Sequence, residues 1–545
     1  MDSNKFDWWQ SAVIYQIYPR SFKDSNGDGV GDLQGIIDKL DYLKGTPNSL
    51  DVDAIWISPI YVSPMIDFGY DVANHIDIDP LFGDLETFDR LVEEAHQRNL
   101  KIILDFVPNH TSDQHTWFKE SRSSRDNVKR DWYYWRDAKP DGSYPNNWVS
   151  MFGGRAWTWD ETTQQYYLHL FDKTQPDLNW RNPAVKSAML DVLRFWLDRG
   201  VDGFRMDVVG FIMKDEKLPD NPLSNTDLSA DDLKEWHHLI HKYDIDQPEV
   251  HELIKDFRQL HDEYGNRVVI GEIWAEPRSE WIKYYGKNND GLHLPFNFDL
   301  INKPWDVTAI RNSVNELEGL LDTNMWPNYV LGSHDKQRLA TRYGDEATRL
   351  SAMLLLTLRG TPTLYMGDEI GMIDGKIPID KIQDPQGINL GADNSRDGCR
   401  TPFQWSSEDH AGFSSVEPWL PIAENFLANN VVTHLSDPNS LLNLYRKLIQ
   451  LRKSYPSLAI GTYQYIATDQ TDCFIYIRRH DNEACLIALN FATESRTVCL
   501  DLDYKIDSVL LSTSGKLNQN ISLKTLELRS YEGVVIKLNI TSVRQ

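Results

Sequence analysis

The chain has 545 residues, too many for one hydrophobic core, so two or three domains are expected. Its formal net charge of −25 excludes nucleic acid and anionic membranes as natural partners and leaves neutral substrates open. Hydrophobic residues at 41% fit an ordinary globular protein, and four cysteines without a CxxC pair exclude a disulfide framework or a zinc ribbon.

The opening MDSNKFDWWQ has no basic segment followed by an apolar run, so it does not read as a signal peptide. No stretch is apolar enough to span a bilayer, and a cytoplasmic location is expected. The sequons at Asn109, Asn520 and Asn539 are then expected to be idle. AVIYQIY (12–18) predicts the first strand. The loop DSNGDGVGD (24–32) follows, with oxygen donors at alternating positions: Asp24, Asn26, Asp28 and Asp32. That spacing suits a hard cation such as Ca²⁺, because three carboxylates so close repel one another without one. The loop is not an EF-hand, since its twelfth position is Gly35 where a bidentate Glu is required.

Strands are then predicted at AIWIS (54–58), KIILDFV (101–107), DGFRMD (202–207), RVVIGEIW (267–274), LPFNFDL (294–300), NYVLGSHD (328–335) and TLYMGDE (363–369). Amphipathic helical stretches such as LETFDRLVEEAHQRN separate them, and the alternation predicts a parallel (β/α)₈ TIM barrel. The barrel is expected over 1–106 and 175–465. Residues 107–174 are rich in Trp, Tyr and Gly and read as a small domain inserted after the third strand. Residues 374–436 are loop-rich and are expected to cover the barrel mouth. From 466 to 545 the period becomes two, which predicts a C-terminal antiparallel β-sandwich.

Most predicted strands end in ionisable residues. Such ends share one face of a parallel barrel, where active sites lie. Asp207 and Glu272 stand out there, because glycoside cleavage needs one carboxylate to attack the anomeric carbon and one to protonate the leaving oxygen. Arg205 lies two residues before Asp207 and points the same way on a strand, so it is expected to keep Asp207 ionised. Charges at strand ends also serve plain ion pairing, so the pair alone leaves both uses open.

DFVPNH (105–110), GFRMD (203–207), GEIW (271–274) and SHD (333–335) together resemble the four ordered signature segments of the α-amylase family, glycoside hydrolase family 13. QPDLNW (175–180) resembles the extra signature of its oligo-1,6-glucosidase and α-glucosidase branch. The resemblance runs from about residue 7 to the C-terminus. It implies that Asp207 forms a glucosyl ester, Glu272 is the acid/base and Asp335 holds ring hydroxyls. His110 and His334 would bond the same glucose, and Arg205 would orient Asp207. GYD (69–71) and RTPFQW (400–405) imply that Tyr70 stacks on the terminal glucose while Asp71 and Arg400 pair at the pocket floor. Val208, directly after the implied nucleophile, accompanies α-1,6 activity in this branch. A similar family loop binds Ca²⁺ with a further carbonyl ligand, here Val30. Ser333 stands where the family more often has Asn, and Phe403 where Met is usual.

The implied activity is a retaining, exo-acting α-glucosidase working on a small α-glucoside, as a monomer or homodimer, with structural Ca²⁺ and no organic cofactor. A transglucosylase or sucrose isomerase on the same scaffold is the alternative. Isomerases of this type carry an arginine-rich loop after the sixth strand, where this chain reads LPFNFDLINKP. Non-enzymatic heavy chains of transporters share the fold, but they carry a membrane span and lack the catalytic carboxylates.

Overall fold

In the computed structural model, which describes residues 6–225, 235–515 and 521–539, eight parallel strands close into a barrel. They are β1 (Ile14–Ile17), β2 (Ala54–Ile57), β3 (Lys101–Phe106), β4 (Gly203–Met206), β5 (Val268–Glu272), β6 (Leu294–Asn297), β7 (Asn328–Val330) and β8 (Thr361–Tyr365). Each pairs with its successor in sequence, and β8 pairs back onto β1. Nearly every strand residue is buried, as expected for strands covered on both faces.

The intervening helices begin where the sequence supplies caps. Asp84 accepts from Thr87 N ahead of Leu85–Gln97, and Asp306 from Ala309 N ahead of Val307–Leu320. Asn182 caps Pro183–Asp198, with proline at the first helical position. Val185, Met189, Val192 and Trp196 of that helix recur at helical spacing and face the barrel wall.

Strand register decides which side chains meet inside. Ile14, Ala54, Trp56, Ile103, Ile270, Phe296 and Val330 pack together as one core cluster within the barrel. Above Ile103 on β3 stands Asp105, level with Arg205 on β4. Above Ile270 on β5 stands Glu272, level with Phe296 on β6. Apolar layers thus fill the barrel and charge is confined to its C-terminal rim.

Two excursions overhang that rim. The segment 107–174 carries a three-stranded antiparallel sheet, Trp135–Arg136, Gln165–Leu168 and Trp157–Asp160. It also contains a helix, Thr116–Ser123, in a stretch that reads as poor in helical period. The excursion after β8 is mostly loop and short helical turns such as Pro385–Leu390 and Asp397–Arg400.

The C-terminal region forms a five-stranded antiparallel sheet and a two-stranded one. Ile475, Ile477, Leu486, Ile536 and Leu538 of the larger sheet bury against Val498, Leu526 and Leu528 of the smaller. Its first strand is Thr462–Tyr465, so the sheet begins before the expected boundary at 466. That strand is an edge with only half-buried tyrosines, which weakens its apolar signal. Tyr463 donates to Asn315 Oδ1 at 2.6 Å, and buried Arg478 donates to Thr357 O, tying sheet to barrel.

No helix among the described residues is long and apolar enough to cross a membrane. Asn109 is fully buried and accepts from Lys214 Nζ at 2.6 Å, which leaves no room for a glycan. The other two sequons fall partly outside the described residues.

Candidate active site

Arg205 is the hub of the barrel mouth. Its Nη1 donates to Asp105 Oδ1 and to Asp207 Oδ1, both at 2.8 Å, and its Nη2 donates to Glu272 Oε2. Asp207 lies just past the end of β4, its N–H continuing the strand pairing to Phe106 O at 2.8 Å. Glu272 closes β5. Gly271 before it lets Leu292 pack closely, since a Cβ there would sit 2.3 Å from the end of that side chain. Glu272 Oε2 also accepts from Val208 N at 3.2 Å, and its Oε1 accepts from Trp274 Nε1 at 2.8 Å.

One guanidinium therefore serves three buried carboxylates. Burial pushes the Asp207 carboxyl well above the usual range; Arg205 opposes this, while Glu272 and Asp105 add to it. Burial likewise raises Asp105 to about 6 against the pull of Arg205. Arg205 does bond Asp207, but burial and the two neighbouring acids oppose its pull on that carboxyl.

Asp335 faces this group from the loop after β7. Its N–H is held by Ser333 Oγ at 3.2 Å, so serine performs a turn-capping task here. Against the burial that would raise it, His334, Arg396 and Arg400 hold the Asp335 carboxyl well below the usual range. His334 faces Asp335 at 3.2 Å, the Tyr70 hydroxyl at 2.8 Å and the Gln16 amide at 2.7 Å. Burial lowers His334 and His110 to about 3, so both are neutral hydrogen-bonding groups at working pH. The His110 ring lies between the side-chain amides of Asn109 and Gln175, each at 3.1 Å. Tyr70 donates to Asp105 Oδ2 at 2.9 Å, and Gly69 before it adopts φ 106°, a turn open to glycine.

The expected Asp71–Arg400 floor is not formed. Asp71 accepts from Ile66 N, Asp67 N and Ser63 Oγ at 2.9–3.0 Å and fixes the turn that carries Tyr70. The residue four positions earlier, Asp67, reaches the pocket and binds Arg396 Nη2 at 2.8 Å. Arg396 also binds Asp384 and, at 3.2 Å, Asp335. Fully buried Arg400 sits behind, donating to Asp335 Oδ1 at 3.0 Å and His334 O at 2.8 Å. An ion-pair network thus closes one side of the pocket, with Asp67 and Arg396 in the places expected for Asp71 and Arg400.

The pocket encloses about 750 Å³ counting its open mouth. Phe152 and Phe171 from the inserted segment, with Val208 and Phe211, form an apolar wall. Trp274, Lys336 and Gln386 line the outer part. The sequence reading missed Asp67, Arg396, Phe152, Phe171, Trp274, Lys336 and Gln386. Asp67 and Arg396 had a signal, since DFGYD and SRDGCR each hold two like-charged candidates four apart. The aromatic residues had none beyond a high Trp and Tyr content.

The loop Asp24–Asp32 lies outside this pocket, over segment 412–419. Asp24 accepts from Asn26, Gly27 and Gly29 N–H and from Ser414 Oγ; Asp32 accepts from Ser25 and caps helix Leu33–Asp38 through Gly35 N. Asp28 accepts from Val30 N and Asn26 Nδ2. The donor set is all oxygen, the chemistry a hard cation takes, but the three carboxylates are each engaged by N–H or hydroxyl donors and their oxygens are not gathered around one point.

A TIM barrel whose strand mouths place an arginine-bridged carboxylate pair in an aromatic-walled pocket has the construction of a glycoside hydrolase. Comparison with known proteins specifies it. Residues 16–461 match the family profile of the α-amylase catalytic domain. A probable alpha-glucosidase of Rhizobium meliloti is 44% identical over 90% of this chain and 90% of its own length. An oligo-1,6-glucosidase of Parageobacillus thermoglucosidasius is 38% identical over 98% of this chain and 99% of its own. The crystal structure of the alpha-glucosyl transfer enzyme XgtA superposes with a TM-score of 0.91 at 40% identity, covering 98% of this chain and 100% of that one. The chain belongs to the α-amylase family, in its α-glucosidase and oligo-1,6-glucosidase branch, and is a glycoside hydrolase.

Proposed function

We propose that the protein is a retaining, exo-acting α-glucosidase that removes terminal glucose from short α-glucosides. The observation that carries this is the shared guanidinium. Asp207 and Glu272 bind the two ends of one planar group, which favours the separation of about 5–5.5 Å used in retention over the roughly 6.5–9.5 Å that inversion needs for its water. Asp207 attacks the anomeric carbon as Glu272 gives its proton to the glycosidic oxygen, and the leaving sugar departs. Glu272 then deprotonates a water that cleaves the ester and frees glucose. Asp335, ionised and held by Arg396 and Arg400, is placed to bind ring hydroxyls. The Asp67–Arg396–Asp335 network supports exo action, since a chain cannot continue through it.

Asp207→Asn should leave thermal unfolding unchanged and lower kcat by a factor of about 10⁴ or more. Substantial residual turnover would remove Asp207 from the role. Timed product analysis on maltotriose and isomaltotriose should give single glucose units; internal cleavage of starch would refute exo action. A transglucosylase is the second reading, favoured by the likeness to the α-glucosyl transfer enzyme. Oligosaccharides longer than the substrate outweighing free glucose at high substrate concentration would select it.

We further propose that the loop Asp24–Asp32 binds Ca²⁺ structurally through Asp24, Asn26, Asp28, Asp32 and the Val30 carbonyl. Support comes from the all-oxygen donor set and the spacing. A cytoplasmic site of action is supported by the four free cysteines, three of them buried. Cell fractionation tests it.

A further inference from the structure

Trp274 stands two residues beyond Glu272, where β5 has ended. Its indole N–H donates to Glu272 Oε1 at 2.8 Å. The two oxygens of Glu272 are unequally occupied. Oε2 already accepts from Arg205 Nη2 and Val208 N, which fills its two lone-pair directions. Among the described residues Oε1 takes a single N–H donor, the indole, so Oε1 is the oxygen with room for a transferable proton. The indole fixes the direction in which that proton points.

The same ring is held on one side. It lies flat against Phe298, centroids 4.8 Å apart and planes 5° apart, and Phe298 stacks in turn on Phe296. Trp274 is nonetheless 38% exposed and lines the pocket. Lys336, directly after Asp335, places its Nζ over the indole ring, 5.5 Å from its centroid, and lines the same pocket. An exposed indole with an ammonium over it complements a sugar, which is apolar above its ring and rich in acceptors at its rim.

We propose that Trp274 is a positioning residue for Glu272 and that, with Lys336, it binds the sugar on the leaving side of the scissile bond. One side chain then sets both where the leaving sugar rests and how its oxygen receives the proton. This rests on the reading of Glu272 as the acid. In the step concerned, the Oε1 proton passes to the glycosidic oxygen as that oxygen takes the electron pair of its bond to the anomeric carbon, and Asp207 supplies the new bond.

Two substrates test it. Maltose needs the proton; a dinitrophenyl α-glucoside, whose leaving group departs as an anion, does not. Trp274→Phe keeps the ring and loses the N–H. It should lower kcat on maltose about tenfold or more, the loss expected for a hydrogen bond to a charged group, while the dinitrophenyl glucoside changes by less than about twofold. Lys336→Met should raise KM for maltose several-fold with kcat unchanged. Both variants should unfold at the wild-type temperature. Equal losses of Trp274→Phe on both substrates, or none on either, overturn the proposal. Glu272→Gln separates the two readings. It should abolish maltose cleavage while still giving a burst of dinitrophenol. If Glu272→Gln cleaves maltose normally, the acid has been misassigned. If it behaves as stated and Trp274→Phe matches wild type, only the role of Trp274 is lost.

Discussion

Val208 adopts φ 38° and ψ 51°, a left-handed conformation that costs a β-branched residue about 1–3 kcal/mol. The strained turn aims its N–H at Glu272 Oε2 and sets its side chain in the pocket wall. Val208→Thr keeps the branching, and so the backbone cost, while adding a hydroxyl to the wall. We expect the maltose-to-isomaltose ratio of kcat/KM to change several-fold with the unfolding temperature nearly constant; an unchanged ratio makes Val208 a packing residue only. At the floor, Arg396→Ala leaves Asp67, Asp335 and Asp384 without their shared cation. Breaking such a buried network costs about 3–5 kcal/mol, so both stability and turnover should fall. Arg396→Lys restores the charge but not the planar fork. It should recover most of the unfolding temperature yet stay about tenfold down in kcat/KM, a split that calorimetry and kinetics read separately. Full recovery of both would make the floor a plain charge effect. Most of this site was legible from sequence, because ionisable residues at strand ends carry their chemistry in their type. The floor was not, because DFGYD and SRDGCR each offer two candidates one helical turn apart, and only the tertiary turn at Gly69 decides which acid faces the pocket.

The barrel strands were readable for a related reason. Four or five apolar residues followed by a charge make a pattern that a buried parallel strand with a solvated mouth imposes. Edge strand Thr462–Tyr465 escaped because it has no strong one-sided apolar face, and helix Thr116–Ser123 because it is short and carries only two apolar residues, Trp117 and Phe118. The loop Asp24–Asp32 tests how an element without apolar content is held. Its carboxylates take backbone N–H groups and Ser414, and Asp24 N binds Phe413 O, so the loop clamps segment 413–419. If Ca²⁺ completes that clamp, an ion at a hundredfold over its Kd adds about 2.7 kcal/mol. Chelation should lower the unfolding temperature by a few degrees and added Ca²⁺ should restore it, with Asp28→Ala insensitive to both. An unfolding temperature indifferent to chelator would leave the loop held by its own hydrogen bonds.

Over the whole molecule, buried histidines and buried carboxyls together set the response to acid. Burial lowers His75, His169 and His261 to about 4, His110 and His334 to about 3, and His115 to about 2, from an ordinary value of 6.5. Each is neutral in the fold and takes up a proton on unfolding below 6.5. A depressed pKa contributes stability that is complete above the unfolded value and is lost as the pH falls towards the folded one. These six therefore lose their contribution progressively from pH 6.5 downwards. Burial raises Asp71 and Asp105 to about 6 and Asp368 to about 7, and these act with the opposite sign, losing stability as the pH rises from 3.8 through those values. Burial also raises Asp67, Asp177, Asp207, Asp246, Asp374, Glu318 and Glu369, which act with the same sign as those three. The two sets oppose each other across the same window, so the unfolding temperature should change little from pH 6.5 to pH 4, with proton uptake by the histidines on unfolding offset by release from the carboxyls. Calorimetry in buffers of different ionisation enthalpy measures both quantities. A steady fall of the unfolding temperature from pH 6.5, with net proton uptake on unfolding, would mean that the histidines outweigh the buried carboxyls.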